Sequence, residues 1–368
     1  MKDFMKNIKN KEKFYDLLIS FLHEKSLLSD RKYILTNRRK VISNHNSVME
    51  DCSHLEADYR IVLHVVSAIL EGLKRVVVRS NDTDVLIILI QYYNHFCEVA
   101  KTDNFNIILM TGKSSTATGI LYISIDLASK SFTPHQLRGL PLLFSMAGCD
   151  YVESFYDVGQ MSWLNNYLKN DTIPRVFSEL MMDPLKLIDK FEEVMNFVLT
   201  TYKVRNPSLG CSVGRVDTFK FKTIKTLRQL PPSKAALYLH MRRALYVATN
   251  VWGRAHIPDP PHVDPCQWGW VSTNGTCVPL WTSRVYDLSN KMRDPFLRLR
   301  SRCSCGRSGT SQPALCKNCS CKKLNVKCWK KVLEEMRLFW GVLIWFKLFS
   351  LFILPNIRGR IWGRSHIT

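Results

Sequence analysis

The run VVVRSNDTDVLIILI, residues 76–90, places the tightest constraint on how this chain can fold. Its length and its β-branched first half predict a buried strand that leads directly into a buried helix. Two carboxylates, Asp82 and Asp84, interrupt the apolar residues at the junction. Because an unpaired carboxylate is costly to bury, this junction needs either hydrogen-bonding partners or a cation.

The segments around the junction predict an α/β domain. Strands are predicted at 32–36, 40–44, 75–80, 105–111 and 119–125. Helical periodicity is found at 10–24, 55–72, 84–94, 134–145, 159–169, 173–181, 184–202 and 233–251. Alternating strands and helices up to about residue 150 are typical of a mostly parallel sheet flanked by helices, and the segment that follows is almost wholly helical.

Acidic residues recur at three separate places. HLEADYR carries Glu56 and Asp58 near a predicted helix start, SNDTDV carries Asp82 and Asp84 at a strand end, and AGCDY carries Asp150. Ligands of parallel α/β sheets bind at the carboxyl ends of the strands, and sites built from carboxylates suit Mg²⁺ or Mn²⁺. Two such ions can act together on a phosphodiester. The alternative is a surface turn in which Asp84 caps a helix.

The order of these motifs resembles the PIN-like superfamily that includes the flap endonucleases. More closely, LEADYR, SNDTDVL and LPLLFSMAGCDYVESFYDVGQMSW are similar to a family of mobile-element-associated eukaryotic proteins, and the similarity covers most of residues 10–330. The resemblance implies a PIN-like fold that hydrolyses phosphodiesters with divalent metal. It makes five acids the metal ligands and catalytic residues: Glu56, Asp58, Asp82, Asp84 and Asp150.

Several positions depart from that family pattern. Phe144 replaces a His, Asp157 replaces a Gly, and Val158 and Gln160 replace the two Lys of a G-K-G-K turn. In flap endonucleases the turn after the G-x-D motif holds a phosphate through backbone N–H groups, so an Asp there adds repulsion. No strand-borne Asp precedes Glu56, which is expected of a fragment or a decayed copy. Two hypotheses therefore remain: a metal-dependent nuclease, and a non-catalytic DNA-binding or scaffold protein.

A cysteine-rich segment follows at 298–331. Its C-x-C and C-x2-C spacings favour zinc over free thiols, with the ligands Cys303, Cys305, Cys316, Cys319, Cys321 and Cys328. The segment is also strongly basic, and the predicted nucleic-acid contacts are Arg300, Arg302, Arg307, Lys317, Lys322, Lys323 and Lys327. It resembles half of a tesmin-type CXC domain, a DNA-binding zinc module.

The charge balance of the whole chain predicts a polyanionic partner. There are 52 Lys and Arg against 31 Asp and Glu, a formal net charge of +21, which favours nucleic acid, most simply DNA in the nucleus. The N-terminus has no apolar core of a secretory signal, and the scattered cysteines fit a reducing compartment. An alternative is a membrane anchor at 338–357, which is long and apolar but contains Lys347.

The sequence predicts five regions. These are a PIN-like α/β domain at 1–170 that lacks its first strand, a helical extension at 171–255, a Pro/Trp-rich linker region at 256–297, the basic zinc segment at 298–331 and an apolar tail at 332–368. The expected function is nucleic-acid binding with metal-dependent hydrolysis of phosphodiesters.

Overall fold

A three-stranded sheet carries the acidic junction. The computed structural model describes residues 7–27, 30–54, 56–113, 119–204, 210, 229–273 and 275–281. Strand β3 (Arg75–Arg79) pairs in parallel with β4 (Asn106–Gly112), and β5 (Ile120–Ser124) pairs antiparallel to β4. The α/β prediction is confirmed, but the described sheet is mixed rather than mostly parallel. A helical crossover joins β3 to β4, whereas the connection from β4 to β5 is too short for a parallel pair.

Five helices surround this part of the chain. They are α2 (Ala57–Leu70), α3 (Thr83–Gln91), α4 (Tyr93–Ala100), α5 (Ile125–Lys130) and α6 (Pro134–Ala147). The predicted helix at 84–94 is interrupted at Tyr92, and a separate helix α4 follows it. Helix α5 was not predicted, because six residues give too little periodicity for a sequence pattern.

The segment after residue 150 is mainly helical, as predicted. Its elements are α7 (Gln160–Leu168), α8 (Ile173–Met182), a 3₁₀ turn (Pro184–Leu187), α9 (Phe191–Thr201) and α10 (Lys234–Tyr246), which continues into Val247–Val251 and Trp252–Arg254. The single helix predicted at 184–202 is therefore two elements, because Asp183 and Pro184 begin a short turn of their own. One continuous apolar core runs from Tyr59 in α2 to Trp270, so these helices share the core of the sheet.

Two smaller units lie at either end of the described chain. Helix α1 (Ile8–Leu27) precedes an antiparallel hairpin of β1 (Ile34–Asn37) and β2 (Lys40–Ser43), which forms its own sheet. A second hairpin, β6 (Trp270–Thr273) with β7 (Thr276–Pro279), lies in the region predicted to be irregular. Its first residue, Trp270, is buried in the main core.

Several predictions fall outside the described residues. They concern the zinc ligands from Cys303 to Cys328, the basic contacts from Arg300 to Lys327 and the apolar stretch at 338–357. Among the helices that are described, none combines the length and the hydropathy that crossing a bilayer demands.

Candidate metal centre

Three of the predicted acids converge on one point. Glu56, Asp58 and Asp150 each offer a carboxylate oxygen, and these oxygens all lie within 4.8 Å of one another. Glu56 and Asp58 are half-buried, and Asp150 is exposed. Ligands at roughly 2.1 Å from an octahedral ion are separated by about 3–4 Å, so only small side-chain movements would bring the three oxygens onto one cation. We call these three residues the carboxylate triad.

The start of helix α2 positions two members of the triad. Glu56 is the N-cap in extended conformation, and Asp58 lies in the first helical turn. Acidic side chains at this end of a helix are favoured by the helix dipole, so the local sequence is stable there without any ligand. The Tyr59 hydroxyl accepts the backbone N–H of Glu56 at 3.3 Å, which fixes the chain at the helix entry.

A tight turn after helix α6 supplies the third member. Gly148 ends the helix with φ of +125°, and a Cβ there would lie 2.6 Å from the Cα of Ser154. The N–H of Cys149 donates to the carbonyl of Val152 at 2.9 Å, and Val152 is buried in the core. The backbone is thereby fixed on both sides of Asp150, and only a glycine fits at the first position of the turn.

Two tyrosines stand beside the triad. The hydroxyl of Tyr151 is hydrogen-bonded to Tyr59. Burial is the main cause that raises the pKa of Tyr151 well above its ordinary value, and the neighbouring Tyr59, Glu56 and Asp150 add to the shift. The phenol of Tyr151 therefore remains protonated at neutral pH. Sequence reasoning missed both tyrosines, although a signal was present, because each tyrosine directly follows an acid of the triad in LEADYR and GCDY.

A thiol, that of Cys149, precedes Asp150 in the turn after helix α6. Burial, followed by the charges of Asp84 and Asp150, raises the pKa of Cys149 to about 12, although hydrogen bonds from the backbone of Tyr151 and Val152 oppose the shift. At neutral pH this side chain is a neutral thiol, so it is not a thiolate ligand. Helix α3 packs against helix α6, which leads directly into the turn at 148–152.

The two acids of the opening junction are placed differently. Asp82 is the N-cap of α3, and its Oδ1 accepts the N–H of Asp84 at 2.9 Å. Asp84 is buried, 7% exposed, in the first turn of the helix. Within the described residues, the group of carboxylates that meets the 4.8 Å separation contains neither of them. The capping interpretation of the junction is correct in kind, with Asp82 rather than Asp84 as the cap.

The end of the neighbouring strands is held by polar side chains of the same junction. Arg79 donates to the carbonyls of Met110 at 3.0 Å and of Gly112 at 2.5 Å, and the Asn81 side chain accepts the N–H of Gly112 at 2.9 Å. Arg79 is thereby committed to joining β3 to β4 at the acidic edge of the sheet.

A cavity of about 390 Å³ opens beside the turn at Gly148. Asp157, one of its lining residues, has φ of 60°, and its carboxylate accepts from the Gln229 amide at 3.3 Å. A non-glycine residue in left-handed conformation is uncommon, and here it adds negative charge to the cavity. The cavity is therefore poorly suited to binding a phosphate group.

The chain was compared with known proteins at three levels. No family model, curated protein or solved structure matches it.

Proposed function

We propose that this protein binds a divalent cation, Mg²⁺ or Mn²⁺, at the carboxylate triad and acts with it on the phosphodiester backbone of nucleic acid. The single observation that carries the proposal is the convergence of Glu56 and Asp58 with Asp150, which belongs to a segment distant in sequence. Charged side chains repel one another unless something compensates them, and three carboxylates from two segments make a cation the simplest compensation. We also propose, from its motifs, that the chain is related to PIN-like proteins of mobile elements, and from its net charge of +21 that it acts on DNA in the nucleus.

The donor set fits a hard divalent ion. All three ligands are carboxylate oxygens, the type of ligand that Mg²⁺ and Mn²⁺ prefer over sulfur or imidazole. The exposure of Asp150 leaves one side of the site open to water and to a substrate oxygen. A cation held there would supply Lewis-acid stabilisation of the charge that develops on a phosphodiester during hydrolysis.

The chain itself provides the preorganisation. Tyr59 holds the backbone of Glu56, and the turn from Gly148 to Val152 holds Asp150, so the two segments arrive at the site with little freedom to lose. Protonated Tyr151 keeps a neutral donor next to Glu56, which limits the negative charge of the site to the carboxylates. Fixed ligands of this kind lower the entropy cost of binding the ion.

A second candidate function is nucleic-acid binding without hydrolysis. Asp82 is engaged as a helix cap, and Asp157 places negative charge in the cavity beside the triad. Both features take away parts that a hydrolytic site of the resembled family uses. With fewer ligands the site would bind metal weakly, and DNA affinity would then come from basic residues alone.

Cleavage and metal binding need to be measured on the same preparation. We would compare the full chain with Asp58→Asn/Asp150→Asn, using Mn²⁺ titration by electron paramagnetic resonance and cleavage of single-stranded and branched DNA. We expect the variant to lose Mn²⁺ affinity by at least about tenfold, and cleavage with it, because two of three ligands lose their charge.

A matched control removes the same charge elsewhere. Asp171 and Asp189 are exposed acids outside the triad, and Asp171→Asn/Asp189→Asn should bind Mn²⁺ and cleave DNA like the wild type. Cleavage at equal rates by the wild type and the triad variant would remove the nuclease proposal. Triad-dependent Mn²⁺ binding without cleavage would select the second candidate.

A further inference from the structure

The hairpin of β1 and β2 presents a concentrated positive charge at its tip. Arg38, Arg39 and Lys40 follow one another through the turn, and all three are exposed. Arg31 and Lys32, just before β1, are also exposed and add two more cations. We call Arg38, Arg39 and Lys40 the basic turn. Five exposed cations within ten positions make a positive patch, and such a patch favours an anionic partner.

Hydrogen bonds fix the backbone of the basic turn, whereas its side chains are exposed to solvent. The carbonyl of Arg38 accepts from the buried guanidinium of Arg60 at 2.5 Å, and the carbonyl of Arg39 accepts the N–H of Cys52 at 2.9 Å. Beneath the hairpin, Ile34 and Val41 pack on a small core of Met49, Cys52 and Leu63. Binding through these side chains would therefore cost no ordering of the backbone.

The turn uses arginine where folding alone favours other residues. Arg38 has φ of 53°, the left-handed region in which Gly and Asn are preferred and other residues lose about 1 kcal/mol. Hairpins with two-residue connections most often place Asn-Gly or Asp-Gly there. A residue retained in an unfavourable conformation is a reason to look for a role of its side chain.

Arg60 links the basic turn to the helix that carries the carboxylate triad. It lies in the first turn of α2, four positions after Glu56 and on the same face of the helix. Its guanidinium also donates to the carbonyl of His54, immediately before the helix. The backbone of the basic turn is therefore held by a side chain from the same end of α2 as Glu56.

Few acids oppose the basic turn. Asp16 pairs with Arg38 at 3.4 Å, with both side chains at least half exposed, and such a surface pair contributes at most about 1 kcal/mol. Over the residues that the structure describes, Arg39 and Lys40 have no ion-pair partner. Another nearby acid, Asp51, accepts the N–H of Val41 at 2.8 Å. A phosphate can exchange with Asp16 at little cost.

We propose that the basic turn binds phosphates of a nucleic acid backbone beside the carboxylate triad. The proposal rests on the proposed function for the class of partner. A carboxylate cluster repels a polyanion, so a strand can lie across it only where adjacent cations hold the flanking phosphates. The basic turn supplies such cations at the helix end where the acids converge, in place of the basic residues missing after Asp157.

The test is a salt titration of DNA binding by the full chain in EDTA. Fluorescence anisotropy with single-stranded and duplex DNA would compare the wild type with Arg38→Gln/Arg39→Gln/Lys40→Gln. We expect the slope of log K against log salt to become shallower by about 2–3, since each neutralised phosphate contributes about 0.7–0.9. A control with equal charge loss on other exposed cations, Lys169→Gln/Arg175→Gln/Lys186→Gln, should keep the wild-type slope.

Lysine acetylation footprinting of the wild-type protein provides a second measurement. It requires no substitution, so a folding defect of a variant cannot explain its result. Bound DNA should protect Lys32 and Lys40 from acetylation, and should leave Lys169 and Lys186 reactive, as read by mass spectrometry. Equal slopes in the wild type and the basic-turn variant, unprotected Lys40, or binding to anionic vesicles but not to DNA would each overturn the proposal. EDTA removes divalent ions, so failure of the metal site leaves this result unchanged.

Discussion

Two helix starts in this molecule carry the same pattern, two acids separated by one residue, and use it differently. At α2, Glu56 and Asp58 direct their carboxylates toward Asp150. At α3, Asp82 turns its carboxylate onto the N–H of Asp84, so the pattern closes on its own helix. Both pairs begin with an N-cap residue, but only the pair at α2 also joins a shared carboxylate cluster.

The difference comes from the segment that packs opposite each helix. The turn at 148–152 brings a third carboxylate to α2, and Gly148 is the residue that permits this turn. The same turn presents to α3 the neutral thiol of Cys149. An acid pair at a helix start thus becomes a candidate metal site only where tertiary structure adds a further acid.

The largest expected effect is that of Gly148→Ala, which removes the feature that distinguishes α2 from α3. The new Cβ would lie 2.6 Å from Ser154 Cα at a φ that L-residues rarely adopt. Backbone strain and overpacking together should lower the free energy of unfolding by about 2–5 kcal/mol, measured by urea denaturation. Gly159→Ala is the control, because its φ is −73° and its Cβ meets nothing within 4 Å. A loss as large at Gly159 would contradict the explanation.

Acid pH should lower the stability of the fold around the Asp150 turn, because a buried histidine packs against this turn. His240 lies against the carbonyl of Met146 at 2.8 Å and the ring of Phe155, on the two sides of the Asp150 turn. Burial lowers the pKa of His240 to about 4. His240 is therefore protonated near pH 6.5 in the unfolded chain but only near pH 4 in the folded chain. The contribution of the neutral side chain to stability is fully present above pH 6.5 and is lost as the pH decreases toward 4.

For this histidine the loss is up to about 3 kcal/mol, measured as unfolding free energy across that pH range. His240→Gln keeps a donor for the Met146 carbonyl and cannot titrate, so its profile should be flatter than that of the wild type. Some dependence should persist, because the pKa of buried His64 is also lowered to about 4. Identical profiles for the variant and the wild type would show that His240 does not control the effect.

Measuring metal affinity is the most direct way to distinguish the acids at the start of α2 from those at the start of α3. Asp150→Asn should weaken Mn²⁺ binding by at least about tenfold, because it removes a charged ligand of the triad. Asp82→Asn should change the affinity by less than about threefold, since its carboxylate serves the α3 cap. Calorimetric titration measures both. Equal losses would mean that Asp82 belongs to the metal site together with the triad.

Much of this arrangement was predictable from the sequence. The strand at Val76 and Val78 and the helix that contains Asp84 follow from the apolar run. The convergence of Glu56 with Asp150 was expected only from the resemblance of the motifs to a known family. The spacing of apolar residues along a strand or helix indicates which of its faces is buried, and this spacing can be seen in the local sequence.

What the sequence could not reveal depends on packing between distant segments. The direction of β5, the role of Asp82 as a cap and the pairing of Tyr59 with Tyr151 each require knowing which surface lies opposite. A D-x-D motif is compatible with a cap and with a ligand pair, because both place a carboxylate oxygen near backbone N–H groups at a helix start. The choice is made by tertiary contacts, which no local pattern contains.

The smallest expected effect tests the cap at α3 by itself. Asp82→Ala removes the oxygen that accepts the N–H of Asp84 and should lower the unfolding free energy by about 1 kcal/mol, measured by urea denaturation in EDTA. Asp82→Asn keeps an acceptor at the same position and should stay within about 0.5 kcal/mol of the wild type, because Asn is as good an N-cap as Asp. If Asn were as costly as Ala, the charge of Asp82 would matter rather than its hydrogen bond. Repeating both measurements with Mn²⁺ then separates cap from ligand: a cap gives the same metal-induced stabilisation in the wild type and in Asp82→Asn, whereas a ligand loses that stabilisation with its charge.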